Sequence, residues 1–417
     1  MRVLAERIVD RALLAARDTP RQDALPLLAT NLAVMLSRQR GADPIVAVVG
    51  ADQSIGAKAF RHGARLYGRA QDDWYHRGRS HIGTGVLPAV LAAGADDVVP
   101  PMLAGFSAMM TVSAAYGVQA HTSGLRPTSM FAPVGASVAV AVVMGLERGR
   151  IIDALSAALV GSCGHSACML EGSDEWRYEV LLAIRAGAEA AWLAGHGATF
   201  VKQSFEGDSG WCRAHFDDPD GVRLAAVLDA PPEPIGAVSV KPFPASGVAM
   251  GTIATAIRAG IAAGGAEVGR LVLHVSPAVM GVPGSMGQAP FKTGIAAGMS
   301  LSRCCAEAFL TGGLAAAIPS DRRAEIEALA ARLELFADPA LDDDTARVEA
   351  HMADGVVIET GSAAAMLYPS WQQVLDDRDC YVRYDVDAER FVEMIDIISR
   401  EKVASETLVG LIARSDA

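Results

Sequence analysis

Aromatic residues are scarce in this chain of 417 residues, at 6%. A core with so few rings is filled by aliphatic and small side chains, and abundant Ala and Gly let helices pack closely. Basic blocks are missing. Lys plus Arg number 36 against 48 Asp plus Glu, a net charge of −12, which argues against a nucleic-acid partner. That acidity is spread along the chain and reads as a solubility feature. Cysteine is sparse, with six residues of which Cys304 and Cys305 are adjacent. No disulfide framework is expected, and a reducing cytoplasm is the expected compartment. The most apolar stretch, Phe131 to Leu146, is broken by Pro133, Gly135 and Ser137. It falls short of the ~20 residues needed to span a bilayer, so it reads as a buried helix and no membrane partner is expected. The opening MRVLAERIVDRA is charged and amphipathic, unlike a signal peptide. A P-loop and a dinucleotide glycine fingerprint are both lacking.

What is present is helical periodicity. The length suggests two domains at ~100–200 residues each. VLAERIVDRALLAAR and DALPLLATNLAVMLSR carry apolar residues at three- and four-residue spacing and are separated by Asp18-Thr19-Pro20. Residues 41–54 read as a loop around the short run IVAVVG. AKAFRHGARLYGRA reads as a helix, and helical patterns then follow almost without pause to about Gly197. The texture changes at the proline-rich joint Pro231-Pro232-Glu233-Pro234. Beyond it, Gly236–Val240 and RLVLHVSPAV look like strands, and ARVEAHMADGVVIETGSA alternates on both sides of Asp354-Gly355, a hairpin signal. From Asp387 the pattern is helical again. The expected architecture is mainly α: an all-helical domain of residues 1–238 and 388–417, with a smaller α+β lid domain, 239–387, inserted in it.

The stretch Asp72–Ala93, DDWYHRGRSHIGTGVLPAVLAA, is the chemical centre. Its first half is dense in titratable and aromatic groups. Its second half, from about Thr84, is a small-residue apolar helix. A helix start offers free N–H groups and a positive dipole end to an anion, and His81 stands just before it.

Several segments, in order, resemble the MmgE/PrpD family, which includes 2-methylcitrate dehydratases and cis-aconitate decarboxylases. AFRHGARLYGRAQDDW resembles the family's N-G-x-x-x-H-x-x-D-x-D-D-T, and SHIGTGVLPAVLA its H-P-S-x-x-V-x-P-A-x-L-A. GLRPTSMFAPVGASVAVAVVMGL resembles G-x-H-P-T followed by a Gly/Ala helix. RAGAEAAWLAGHG, VKPFPAS and PFKTGIAAGMSLSRCCAEAFLTGG resemble A-x-x-G-x-x-A-A-x-L-A-x-x-G, K-P-Y-P-x-C and the segment ending F-S-x-P-Y. The resemblance implies a helical domain with an α+β lid, a homodimer, and an active site between the two domains that uses no metal or organic cofactor. It implies dehydratase or decarboxylase chemistry on a small anionic, carboxylate-bearing substrate.

The functional positions depart from the family pattern. Ala70 replaces the first Asp, while Asp72 and Asp73 keep the pair; Trp74 replaces the Thr. Arg126 replaces the His of G-x-H-P-T, Arg177 lies near the expected Lys, and Arg303 falls at the Tyr. His81 and Lys241 match. His81 is the expected general acid/base, since imidazole titrates near neutrality. Asp72 and Asp73 are candidates to orient His81 or Tyr75, against the alternative of a solvated carboxylate pair. Tyr75 and His76 are spare acid/base candidates. Arg126 cannot be a base because guanidinium stays protonated, but with Thr128 at a helix entry it can hold a carboxylate. Lys241, at the joint, is expected to clamp substrate as the lid closes. Arg177 and Arg303 are further candidates for the carboxylate, set against ordinary solvated arginines.

Other patterns are discounted. Gly207-Asp208-Ser209-Gly210 looks like a serine-protease motif, but that fold is all-β and this region reads as helical. Cys163, His165 and Cys168 lack metal-site spacing, and Cys304-Cys305 reads as core. His62, His121 and His196 each have ordinary structural readings. Three functions follow in order: a cofactor-independent lyase; the same scaffold turned to isomerisation, epimerisation or cyclisation; and a non-catalytic binding protein.

Overall fold

A computed structural model of the chain describes residues 3–37, 44–291, 293–315, 321–361, 370–376 and 384–415. The fold is mainly α. The opening periodicity yields helices Leu4–Asp18 and Arg21–Leu36. In the first, Leu4, Ala5, Ile8, Val9 and Ala12 are buried, so the core-facing stripe follows the spacing read from sequence.

Helices Ile82–Ala93, Val99–Thr122 and Pro127–Val143 pack with Glu175–Gly195 into the centre of the larger core and are buried nearly all round. Small residues make this possible. A Cβ on Gly105 would lie only 2.7 Å from the Gly135 carbonyl oxygen, so two helices touch backbone to backbone there. Val99–Thr122 has the length and composition to cross a bilayer, but 78% of its apolar window is buried inside the protein, as in a core helix.

A second hydrophobic cluster gathers Trp74 with residues from Ala245 to Met352. Its sheet runs in the order Glu334–Ala337, Val268–Val275, Ala346–Met352, Val357–Gly361, with the first pair parallel and the others antiparallel. Ala346, Val348, Ala350 and Met352 are buried on one face, the period-two pattern that marked the hairpin. Helix Met250–Ala263 covers that face, Leu301–Thr311 packs on that helix in turn, and Cys304 and Cys305 are core as expected. The strand Glu334–Ala337 was not legible in the sequence; four residues, partly exposed, carry no clear alternation.

Three expectations need correction. The larger body is not all-helical: Asp73–Tyr75 is a strand, paired antiparallel with Val238–Val240. Three residues are too few for a periodic signal, and their partner lies far along the chain. The boundary expected at 387 falls within residues that pack on the larger core, among them Val374, Tyr384 and Val386. The Gly207–Gly210 segment is a turn ahead of helix Trp211–Phe216, not helix.

Candidate active site

Two helix starts lie side by side. His81 occupies the N-cap position of Ile82–Ala93 and Arg126 that of Pro127–Val143. The His81 backbone N–H donates to Thr128 Oγ1 at 3.2 Å and ties them together. The strand Asp73–Tyr75 sets the residues in front of them. Strand alternation turns consecutive Asp72 and Asp73 to different partners, and Lys241 N–H donates to the Asp72 carbonyl at 3.1 Å, extending the pairing.

Asp72 is fully buried. Its Oδ1 lies 3.0 Å from Lys241 Nζ, and its Oδ2 lies 3.1 Å from His81 Nδ1 and accepts from Thr84 Oγ1 at 2.5 Å. Burial pushes its carboxyl up, but the charges of His81 and Lys241 and these hydrogen bonds outweigh it and hold it well below the usual range. Asp73 is also buried. Its Oδ2 accepts from Asn31 Nδ2 at 3.0 Å and from Gly83 N–H at 2.6 Å. Burial first, and then the Asp72 charge, push its carboxyl up. The solvated-pair alternative is therefore excluded for both.

His81 Nδ1 faces the Asp73 carbonyl oxygen at 2.7 Å, which can only accept. The proton therefore sits on Nδ1, shared between that carbonyl and the Asp72 carboxylate. Nε2 is left with its lone pair, and His81 lines a cavity of about 1240 Å³. Burial lowers the His81 pKa; Asp72 opposes this, and Lys241 and Arg126 add to it. The imidazole is neutral at neutral pH and has a carboxylate ready to stabilise its protonated form.

Arg126 is buried and also lines the cavity. Its Nη2 donates to the Tyr67 hydroxyl and its Nε lies 3.7 Å from Glu179 Oε1. Nη1 has no partner among the described residues. Tyr67 sets its ring edge-on to His81, with centroids 5.3 Å apart, and Trp74 packs on the other side at 5.2 Å. Six arginines (Arg61, Arg65, Arg69, Arg79, Arg126, Arg177) and Lys241 line the cavity, against the carboxylates of Asp174 and Asp385. Arg79, Arg126, Arg177 and Lys241 already pair with Asp343, Glu179, Asp174 and Asp72, so the cations outnumber the carboxylates here but are partly neutralised in place.

Residues 29–222 match the family model of the MmgE/PrpD N-terminal domain. This match supports membership of the MmgE/PrpD family. Members of this family are generally dehydratases or related enzymes. No curated protein matches the chain. The MmgE/PrpD match spans Asp72, His81, Arg126 and Glu179 and ends before Lys241, which the strand Val238–Val240 delivers from outside it.

Not every residue expected at this MmgE/PrpD site reaches it. His81, Arg126, Thr128, Lys241 and Arg177 line the cavity, Arg177 at its edge beside Asp174 and over the Trp176 ring. Asp72 lies behind His81. Asp73 serves Gly83 and Asn31 rather than the cavity. Tyr75 is buried with its hydroxyl on Glu233 Oε2 at 2.6 Å, outside the cavity lining, because strand alternation points it away. Arg303 lies in the smaller core, 2.5 Å from Glu307 Oε2 and one helical turn from it, and is not among the residues that line this cavity. Tyr67, Trp176 and Glu179 join this group beyond the residues expected: the first two line the cavity and the third pairs with Arg126. Tyr67 ends helix Ile55–Tyr67, three residues before Ala70, and so stands where the family pattern N-G-x-x-x-H-x-x-D has its His, which was the available signal. Glu179, a carboxylate on an otherwise apolar helix face, was the legible clue to a buried partner for an arginine.

Asp72, Asp73 and His81 bring ligand atoms within 4.8 Å of one another, a spacing compatible with a metal ion. The donor set fits poorly. Lys241 already neutralises Asp72, and His81 Nδ1 must carry a proton to meet the Asp73 carbonyl.

Proposed function

We propose that this chain is a cofactor-independent enzyme of lyase type, acting on a small carboxylate-bearing acid by removing a proton next to a carboxylate or carbonyl. His81 Nε2 takes the proton, and Asp72 stabilises the imidazolium that forms. Arg126, with Thr128 beside it, and Lys241 meet the substrate carboxylate, and Arg177 guides anions at the edge. The observation that carries this reading is the His81 tautomer, set by the Asp73 carbonyl within a cavity walled by cations. Dehydration or decarboxylation is the outcome the family favours. The smaller α+β unit, from about residue 239, acts as the cover of the site, and the working form is a cytoplasmic homodimer.

A second reading is isomerisation, epimerisation or cyclisation on the same scaffold. It is favoured by Arg126, Trp74 and Ala70 standing where the family has His, Thr and Asp, which leaves His81, with His62 and His121 elsewhere in the lining, to transfer the proton. Incubation with hydroxy-di- and tricarboxylates in D2O, followed by NMR, separates the two. An alkene with loss of water, or loss of CO2, supports the lyase. Deuterium at the carbon without either supports the second reading. Turnover that survives His81→Ala with the fold intact refutes both assignments of the base. Ligand binding without any turnover by the wild type leaves a binding protein.

A further inference from the structure

We propose that the Tyr67 hydroxyl is a catalytic hydrogen-bond donor of this cavity, aimed at the substrate oxygen on which negative charge develops. This rests on the reaction class proposed above and adds a residue to it. Tyr67 is 1% exposed, yet it forms part of the cavity wall between His81 and Arg126. Its oxygen accepts from Arg126 Nη2. The phenol proton itself has no acceptor among the described residues. Glu179, the nearby carboxylate, is occupied by the His165 N–H at 3.1 Å and by Arg126. A buried donor left unused is costly, so such a group is kept where a ligand completes it.

The setting makes it a good donor. Burial first, with the charges of Asp72 and Glu179, raises the Tyr67 pKa far above the usual phenol value, against the pull of Arg126. The group stays a phenol and does not ionise. Arg126 on its oxygen polarises the O–H, strengthening the bond it can give. Three neighbours fix its direction: His81 edge-on, Trp176 tilted at 4.9 Å, and Arg126 at the tip. A donor fixed in advance is the arrangement that stabilises an oxyanion at little cost in reorganisation.

The step balances as follows. His81 Nε2 takes the proton from the carbon beside the carboxylate. The C–H electron pair becomes the C=C of an enolate, and charge gathers on the oxygen that Tyr67 and Arg126 face. Collapse of the enolate expels a neighbouring hydroxide, which leaves as water with the proton from His81. Tyr67 keeps its own proton throughout.

Tyr67→Phe keeps the ring and removes the donor. Tricarballylate, an unreactive tricarboxylate, serves as the binding probe, and the D2O panel supplies the rate. The expected result is binding of the probe within about threefold of wild type and a kcat or exchange rate lower by about 10²–10³-fold. Rates equal to wild type overturn the assignment of Tyr67 while leaving His81 in place. If wild type neither binds tricarballylate nor exchanges any acid, the anion-site reading itself falls, and this one falls with it. Should the variant not fold, crystals of wild type soaked with the probe decide. A carboxylate oxygen within hydrogen-bond reach of the Tyr67 hydroxyl supports the assignment, and a probe bound elsewhere in the cavity refutes it.

Discussion

Replacing Asp72 by Asn probes the buried chain Lys241–Asp72–His81. At 3.0 Å, and at an effective dielectric of about 20, the Lys241–Asp72 attraction is about 5 kcal/mol before desolvation is subtracted. Both groups are almost wholly out of water, so removing one charge strands the other, which typically costs about 3–5 kcal/mol. Asp72→Asn should therefore lower the unfolding free energy in urea by that amount. Lys241→Met in the same background should restore most of it, since two neutral groups leave no buried charge. The loss is also pH-dependent. The Asp72 carboxyl is held below its ordinary value of 3.8, so its contribution is complete above 3.8 and vanishes as the pH falls through the lower folded value. The gap between wild type and variant should close in acid, not in base. Turnover should drop by about 10²-fold or more, because the His81 imidazolium loses its counter-charge. A stability change below about 1 kcal/mol, or a double variant worse than the sum of the singles, would refute the argument that these charges are paired and dry.

Other consequences can be checked alongside. Burial holds the His81 pKa below 6.5, so kcat/KM should be flat above that pH and fall only below it; an acid limb centred above 6.5 would contradict the neutral-base assignment. Arg303→Met should cost about 3–5 kcal/mol in denaturant unfolding by stranding Glu307, and should leave carboxylate affinity unchanged in calorimetry; weakened affinity would return Arg303 to the site. A Cβ on Gly117 would run into the Gly78 backbone, which carries the turn between the strand Asp73–Tyr75 and His81. Gly117→Ala should therefore cost about 1–3 kcal/mol and slow turnover, and a wild-type melting curve would show that this contact is slack.

The proton-transfer group was readable because His81 stands at a junction that sequence marks well, polar residues giving way to a helix of small apolar ones. The hairpin around Gly355 and the buried face of Ala346–Met352 were readable for the same reason: periodicity is a local property. Tyr75 and Arg303 show where this stops. Both are plausible chemistry by residue type, and both turn away from the cavity: Tyr75 to Glu233, far along the chain, and Arg303 to Glu307 one turn on, in a helix whose buried face is set by packing in the smaller core.

From the chain alone came the helical character, the texture change near the Pro231–Pro234 joint, and the family resemblance around His81, Arg126 and Lys241. These follow from short-range patterns that each segment carries by itself. Folding decided that Asp72 and Asp73 are dry, that Lys241 crosses from another segment to neutralise one of them, and that Tyr67 joins His81 to Arg126. Protonation states and hydrogen-bond directions depend on which groups share a water-free space, and that is set by contacts between residues far apart in the chain.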